Sequence, residues 1–124
     1  LIDLDSNSAS FSPIFDCGSS FNPLLEDSDI EKLTEVEIKN LSINCYSCIK
    51  ENGKRINYVE YIKSLKNKKC SDALIRVFNK INISLINKFI DDISCISQVR
   101  KNFYKQVILY RYNFLVKVYE KISK

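Results

Sequence analysis

The chain has 124 residues, 45% of them hydrophobic, and a formal net charge of +4; these values fit one folded domain and exclude a disordered polypeptide. No stretch approaches the roughly 18 consecutive apolar residues of a membrane-spanning helix, so we expect a cytoplasmic protein that does not enter the membrane. The sequence contains no methionine and begins with Leu1, so we interpret it as a piece of a longer protein, which could itself be a secreted effector.

The first 15 residues predict a β-hairpin. Apolar runs at Leu1–Leu4 and Phe11–Phe15 flank the polar stretch Asp5–Ser8, whose side chains favour tight turns. Pro13 cannot donate a ladder hydrogen bond and therefore indicates an edge position. Residues 16–23 follow as a loop.

Capping patterns predict the helices that come next. Ser28 with Glu31 opens a helix over 29–40, and Asn57 with Glu60 opens one that runs to about Lys66. Between them, Asn52-Gly53 predicts the turn of a second, small hairpin or an irregular linker.

Three further helices are predicted from apolar periodicity. They start at Cys70 or Ser71, at Asn82 or Ser84, and at Ser97, the last running to about Ser123. The predicted fold class is therefore mainly α, with an N-terminal β-hairpin followed by about five helices. We divide it into residues 1–26, the hairpin and its loop, and residues 27–124, a helical subdomain.

The five cysteines and the absence of histidine bear on metal binding. Cys45 and Cys48 form a C-x-x-C pair, but a structural zinc site needs four ligands. Cys17, Cys70 and Cys95 supply no second pair. We therefore predict free thiols that mostly face the core, in a reducing compartment.

The informative motif lies at the exit of the first hairpin. Asp16 follows the apolar run, and Gly18 two residues later permits a sharp turn. A kinase uses this arrangement to present a carboxylate to Mg²⁺, although Asp-x-Gly alone also describes many simple turns.

The surrounding residues narrow the interpretation. The run Ser12-Pro-Ile-Phe-Asp-Cys-Gly-Ser-Ser-Phe21 resembles the A-P-I-F-D-x-G-x-S-L segment of HipA-like serine/threonine kinases, with Ser12 in place of Ala and Phe21 in place of Leu. The resemblance continues through three later segments and into the last helix: 54–62, 67–76 and 90–92.

The resemblance implies a set of roles. Asp16 would be the Mg²⁺ ligand that corresponds to the aspartate of the kinase D-F-G motif, Gly18 the turn glycine beside the nucleotide, and Ser20 a family serine without an assigned role. The chain would form part of the C-terminal lobe of a kinase that uses ATP and Mg²⁺. Its partners would be the missing N-terminal lobe and a protein substrate, with an antitoxin-like protein as a further candidate.

The same resemblance implies that the chain by itself is not catalytic. The phosphate-covering loop, the strand lysine and the Asp-x-x-x-x-Asn catalytic loop would all lie upstream of Leu1. One carboxylate binds Mg²⁺ weakly. We therefore expect no bound cofactor and no catalytic residue in the chain alone.

Two alternatives come from other classes of protein. A non-catalytic helical interaction module is the first. The second is a basic nucleic-acid-binding domain, because residues 38–124 carry eighteen basic and six acidic side chains whereas residues 1–37 carry nine acidic and one basic. Lys66, Lys68, Lys69 and the basic residues of the last helix could bind an acidic partner or nucleic acid, but we favour a solvated face. Asp91 and Asp92 could form a metal pair, but adjacent helix residues point in different directions, so we favour solvated charges at the end of a helix.

Overall fold

The computed structural model describes residues 2–3, 8–9 and 18–123, and its architecture is mainly α, as predicted. Of the described helices, α6 is the longest, and α1, α2, α4 and α5 each pack against it. The elements in chain order are β1 (Ile2–Asp3), β2 (Ser8–Ala9), a 3-10 helix (Gly18–Phe21), α1 (Asp27–Ile30), α2 (Glu35–Ile43), β3 (Tyr46–Glu51), β4 (Lys54–Asn57), α3 (Tyr58–Lys63), α4 (Lys68–Phe78), α5 (Ile83–Asp92) and α6 (Gln98–Ile122).

The N-terminal strands pair earlier in the chain than predicted. β1 and β2 are antiparallel, with Ile2 opposite Ala9 and Asp3 opposite Ser8. The predicted second strand, Phe11–Phe15, lies outside the described residues. Pairing at Ser8 closes a shorter loop than pairing at Phe11 would, and a shorter loop costs less conformational entropy.

The predicted single helix over 29–40 is wrong, because the structure has two helices there. Thr34 has an extended backbone, and its hydroxyl accepts a hydrogen bond from the Glu37 amide at 3.3 Å. The Glu37 carboxylate accepts in return from the Thr34 amide at 2.8 Å. This capping box starts α2 and separates it from the single turn of α1.

The second predicted hairpin is confirmed. β3 and β4 are antiparallel, and Glu51 lies opposite Lys54. Asn52 and Gly53 connect the strands with φ of +50° and +78°, the left-handed conformation that two-residue hairpin turns require.

The predicted helix caps at Asn57 and Ser97 are confirmed, and of the alternatives Asn82 and Ser84 the structure has Asn82 as the cap. Each of these three side chains accepts from backbone amides of the first turn. One start is wrong: α4 begins at Lys68, before the predicted Cys70 or Ser71. The Asn67 side chain caps it by accepting from the Cys70 amide at 3.2 Å.

The core forms where α1 and α2 meet α6. Ile30, Ile38, Phe103 and Val107 form one buried cluster, and Val107 is fully inaccessible. Ser42 is also buried, and its hydroxyl donates to the Ile38 carbonyl at 2.6 Å, which satisfies its polar group inside the core.

At the other end of α6, α4 docks through aromatic rings. The Phe78 ring stacks on the Tyr119 ring at a centroid distance of 4.3 Å and on the Tyr112 ring at 5.7 Å. Such pairs contribute about 0.5–1.5 kcal/mol beyond the burial of their area. Within the part of the chain that the structure describes, none of the helices has the length and apolar character needed to cross a membrane.

Candidate functional site

The segment that follows the predicted metal ligand is described, whereas the ligand itself is not. Asp16 lies outside the described residues. Gly18 is the first residue of the 3-10 helix, which ends at Phe21. The structure therefore shows how the chain that leaves Asp16 is attached to the helical subdomain.

Phe21 attaches this segment to α6. Its ring lies 4.9 Å from the Tyr104 ring, centroid to centroid, and tilted by 40°. The Arg111 guanidinium lies over the same Phe21 ring, 5.6 Å from the ring centroid. Aromatic and cation–π contacts of this kind each contribute about 0.5–1 kcal/mol. Phe21 thus contacts two side chains that lie about two turns apart on the same face of α6.

Arg100 provides a second attachment, because it contacts Leu25 and Asp27, which follow Phe21 in the same segment. Its guanidinium donates to the Asp27 carboxylate at 3.0 Å and to the Leu25 backbone carbonyl. Hydrogen bonding to Tyr104, and to a smaller degree to Asp27, raises the pKa of Arg100 above its usual value, while burial opposes the rise. Arg100 therefore holds the start of α1 against α6.

Arg111 also fixes the end of α2. Its Nε donates to the Ser42 carbonyl at 3.0 Å, and one terminal nitrogen lies 3.7 Å from the Cys45 sulfur. A cation beside the last carbonyls of a helix complements the partial negative charge there. The same guanidinium thus joins α2, α6 and the Phe21 ring.

An open groove of about 970 Å³ adjoins this arrangement and lies among α2, β3, α3 and α6. Its floor is apolar and includes Leu41, Ile62 and Leu115, and Ser20 and Asn22 lie at one edge. Its polar lining residues include Glu37, Asn40, Asn44 and Arg111, together with the two edge residues. Hydrogen bonds from Thr34 lower the pKa of Glu37, so this carboxyl is ionised at neutral pH.

The described part of the groove can position groups, but it offers little catalytic chemistry. Among the described residues, no three His, Cys, Asp or Glu side chains are grouped to hold a metal ion. The chain also has no histidine to serve as a general base.

The cysteine prediction is wrong in part. Cys45 is half-buried, and its thiol donates to the Leu41 and Ser42 carbonyls at 3.7 and 3.6 Å. Cys70 and Cys95, however, are exposed free thiols rather than core residues. The reason is their position: Cys70 lies in the first turn of α4, and Cys95 lies between α5 and α6.

The two aspartates at the end of α5, Asp91 and Asp92, differ in their contacts. Asp91 accepts a salt bridge from Lys105, and its backbone carbonyl accepts from Lys101 at 2.7 Å. Asp91 is 51% exposed, as predicted for a solvated charge, and its contacts with Lys101 and Lys105 also dock α5 on α6. Asp92 is exposed.

The sequence interpretation did not single out Arg100 or Arg111. Both lie on α6 in register with buried Phe103 and Val107, at spacings of three to four residues. Basic residues in the apolar stripe of a helix were the available signal, because a cation on a buried face needs a partner on the facing chain.

The sequence of the chain is similar to that of a protein of known class. Over 95 aligned residues the chain is 36% identical to the serine/threonine-protein kinase CtkA of Helicobacter pylori. The chain is similar to a protein kinase. The match covers 73% of the chain but 29% of CtkA, so the chain spans less than a third of that kinase. No family model and no solved structure matches the chain.

Proposed function

We propose that the protein to which this chain belongs is a HipA-like serine/threonine protein kinase that uses ATP and Mg²⁺. Residues 1–26 would be its hairpin and metal-binding loop, and residues 27–124 the helical subdomain of its C-terminal lobe. The observation that carries the proposal is the 36% identity to a serine/threonine-protein kinase over most of the chain.

In this proposal Asp16 is the Mg²⁺ ligand and Gly18 the turn glycine next to the nucleotide. A metal ligand must be held rigidly to be effective. Phe21 lies only five residues after Asp16 and contacts Tyr104 and Arg111 on α6. These contacts support the proposal because they attach the loop to a long helix.

The chain alone would be inactive. Mg²⁺ needs several oxygen ligands, and ATP needs cations and amide groups around its phosphates. In the proposal the N-terminal lobe and catalytic loop supply these groups, and Asp16 supplies one carboxylate. The protein substrate, and an antitoxin-like partner if there is one, would bind the assembled protein.

The decisive experiment replaces Asp16 by Asn in the full-length protein. Transfer of labelled phosphate from ATP should fall by about two orders of magnitude or more, because the metal loses a charged ligand. Asp92→Asn is the matched control: it makes the same carboxylate-to-amide change at an exposed position and should leave transfer unchanged. Full activity of the Asp16→Asn protein would reject the assignment.

A second candidate function is that of a helical interaction module, and a specific observation favours it. Leu85 and Phe89 lie one turn apart on α5 and are 64% and 68% exposed. Large apolar side chains grouped on a surface are typical of contacts with other protein. This function is compatible with the first, because the remaining lobe of a kinase would be such a partner.

A further inference from the structure

A second groove, of about 790 Å³, is lined by β4 and the turn before it, by α3, and by the turn that joins α3 to α4 together with the start of α4. We call it the basic groove. Its charged lining residues are five cations and one carboxylate, all exposed: Lys54, Arg55, Lys66, Lys68, Lys69 and Glu60.

Both turns that border the basic groove are fixed in unusual backbone conformations. Gly53 has a φ of +78°, and Leu65, in the α3–α4 turn, has a φ of +55°. The left-handed conformation costs a leucine about 1–2 kcal/mol, so the surrounding structure must hold it. Asn67 contributes by donating to the Tyr61 hydroxyl at 2.9 Å while it caps α4.

The positive charge of the groove is not neutralised within the described residues. The lone lining carboxylate, Glu60, pairs with Lys63, at 3.3 Å. The cations in the salt bridges of the described residues are Lys63, Arg100 and Lys105, and none of these lines the groove. Since Glu51 lies opposite Lys54 in the strand register, we base the proposal on the other four cations.

The arrangement of these cations favours an anionic ligand. Like charges in a concave surface focus a positive potential and attract anions. α4 begins at Lys68, so the positive end of its helix dipole adds to the same potential. Arg55 comes from the hairpin whereas Lys66, Lys68 and Lys69 come from the opposite wall, so an extended anion could contact both sides.

The lining also distinguishes between kinds of anion. Single-stranded nucleic acid binds by stacking successive bases on aromatic side chains. Tyr61 is the single aromatic residue of the lining, and its hydroxyl is already bonded to Asn67. Lysine ammonium groups bind carboxylates and phosphates alike as point charges, so the scarcity of aromatic side chains in the lining is what favours a carboxylate-rich ligand over single-stranded nucleic acid.

We propose that the basic groove binds an acidic, Asp- and Glu-rich segment of a protein partner. This binding needs neither nucleotide nor metal, so it goes beyond the proposed kinase function and does not depend on it. A protein without phosphoryl-transfer activity would still bind the acidic segment.

The test measures binding of a fluorescein-labelled twelve-residue peptide of alternating Glu and Ser by fluorescence anisotropy. It uses the full-length protein at low salt, without ATP or Mg²⁺. The variant K66Q/K68Q/K69Q should raise the Kd about tenfold, because it removes three charge pairs of modest individual strength. A peptide with Gln for Glu should bind at least tenfold more weakly than the Glu peptide.

The matched control is K80Q/K88Q/K121Q, which removes the same net charge from exposed lysines outside the groove. It should change the Kd by less than about twofold. Equal weakening by the two triple variants would overturn the proposal, since net charge alone would then explain binding. So would absence of peptide binding, or tighter binding of an oligothymidylate that depends on the same three groove lysines. Unchanged thermal unfolding of both variants establishes that the fold is intact.

Discussion

The guanidinium of Arg100 lies 3.0 Å from the carboxylate of Asp27, a residue 73 positions earlier in the chain. Arg100 also donates to the Leu25 carbonyl. One side chain of α6 thereby holds the segment that connects the 3-10 helix to α1. Because this segment follows the proposed metal-binding loop, the contact links the stability of the fold to the position of that loop.

Replacing Arg100 by Met should reduce the free energy of unfolding by about 1–3 kcal/mol, since the Leu25 carbonyl and the Asp27 carboxylate lose their partner. Urea unfolding measures the change. Asp27→Asn is the companion variant and should cost less, because Asp27 is more exposed than Arg100 and its ion pair is partly screened. Equal stability of the Arg100→Met and wild-type proteins would show that the contact does not hold the segment.

The aromatic attachment can be tested by its effect on activity. Phe21→Ala removes the ring between Tyr104 and Arg111 and should lower phosphoryl transfer by the full-length protein, because the proposed metal-binding loop loses its nearest anchor. Phe21→Leu, which restores the residue of the family pattern, should retain more activity than Phe21→Ala. The reverse order would argue against a positioning role for the side chain.

The core around α6 should be sensitive to truncation. Phe103 is 1% exposed and belongs to the buried cluster of α1, α2 and α6, so Phe103→Ala should cost about 3–5 kcal/mol of unfolding free energy. Leu109→Ala, on the same helix but 47% exposed, is the control and should cost much less. Similar losses for the two variants, measured by chemical unfolding, would place the core elsewhere.

The capping box of α2 should make the stability of the fold depend on pH. The Thr34 hydrogen bonds lower the pKa of Glu37 below its usual 4.5, so this group stabilises the fold above that pH and loses its contribution as the pH falls through the lowered folded-state pKa. Thr34→Ala should cost about 1 kcal/mol at pH 7 and should reduce the acid dependence of stability. Glu37→Gln should also reduce it. Wild-type acid dependence in both variants, followed by thermal unfolding between pH 3 and 7, would contradict the assignment.

Local signals in the sequence were sufficient for much of the fold. The caps at Asn57 and Ser97 and the Asn52-Gly53 turn were predicted correctly because each depends on bonds within a few residues. The division between α1 and α2 was missed although Thr34 and Glu37 carry the same kind of signal, because the Ser28 and Glu31 pattern came first and was extended too far.

The attachments to α6 could not be read from local pattern. Arg100 meets Asp27 and Arg111 meets Ser42 across 73 and 69 residues of chain, and a helical period does not say which residue of another element a side chain will face. The basic groove likewise joins Arg55 to three lysines of a different turn. The lysine run was visible in the sequence, but its proximity to the hairpin was not. The proposed roles of Asp16 and Gly18 come from the resemblance and stay predictions.

A substitution on the exposed face of α5 tests whether this face packs against other parts of the full-length protein. Phe89 is 68% exposed here, so Phe89→Ser would change stability by less than about 0.5 kcal/mol if solvent covered this face in the full-length protein as well. Under the proposed function the remaining lobe of the kinase would cover this face, so we expect instead a loss of about 2–4 kcal/mol. Lys88→Ser, the exposed neighbour on the same helix, controls for the change in helix propensity. Chemical unfolding of the full-length protein separates the two cases, and equal, small effects of both substitutions would mean that the α5 face stays open to solvent.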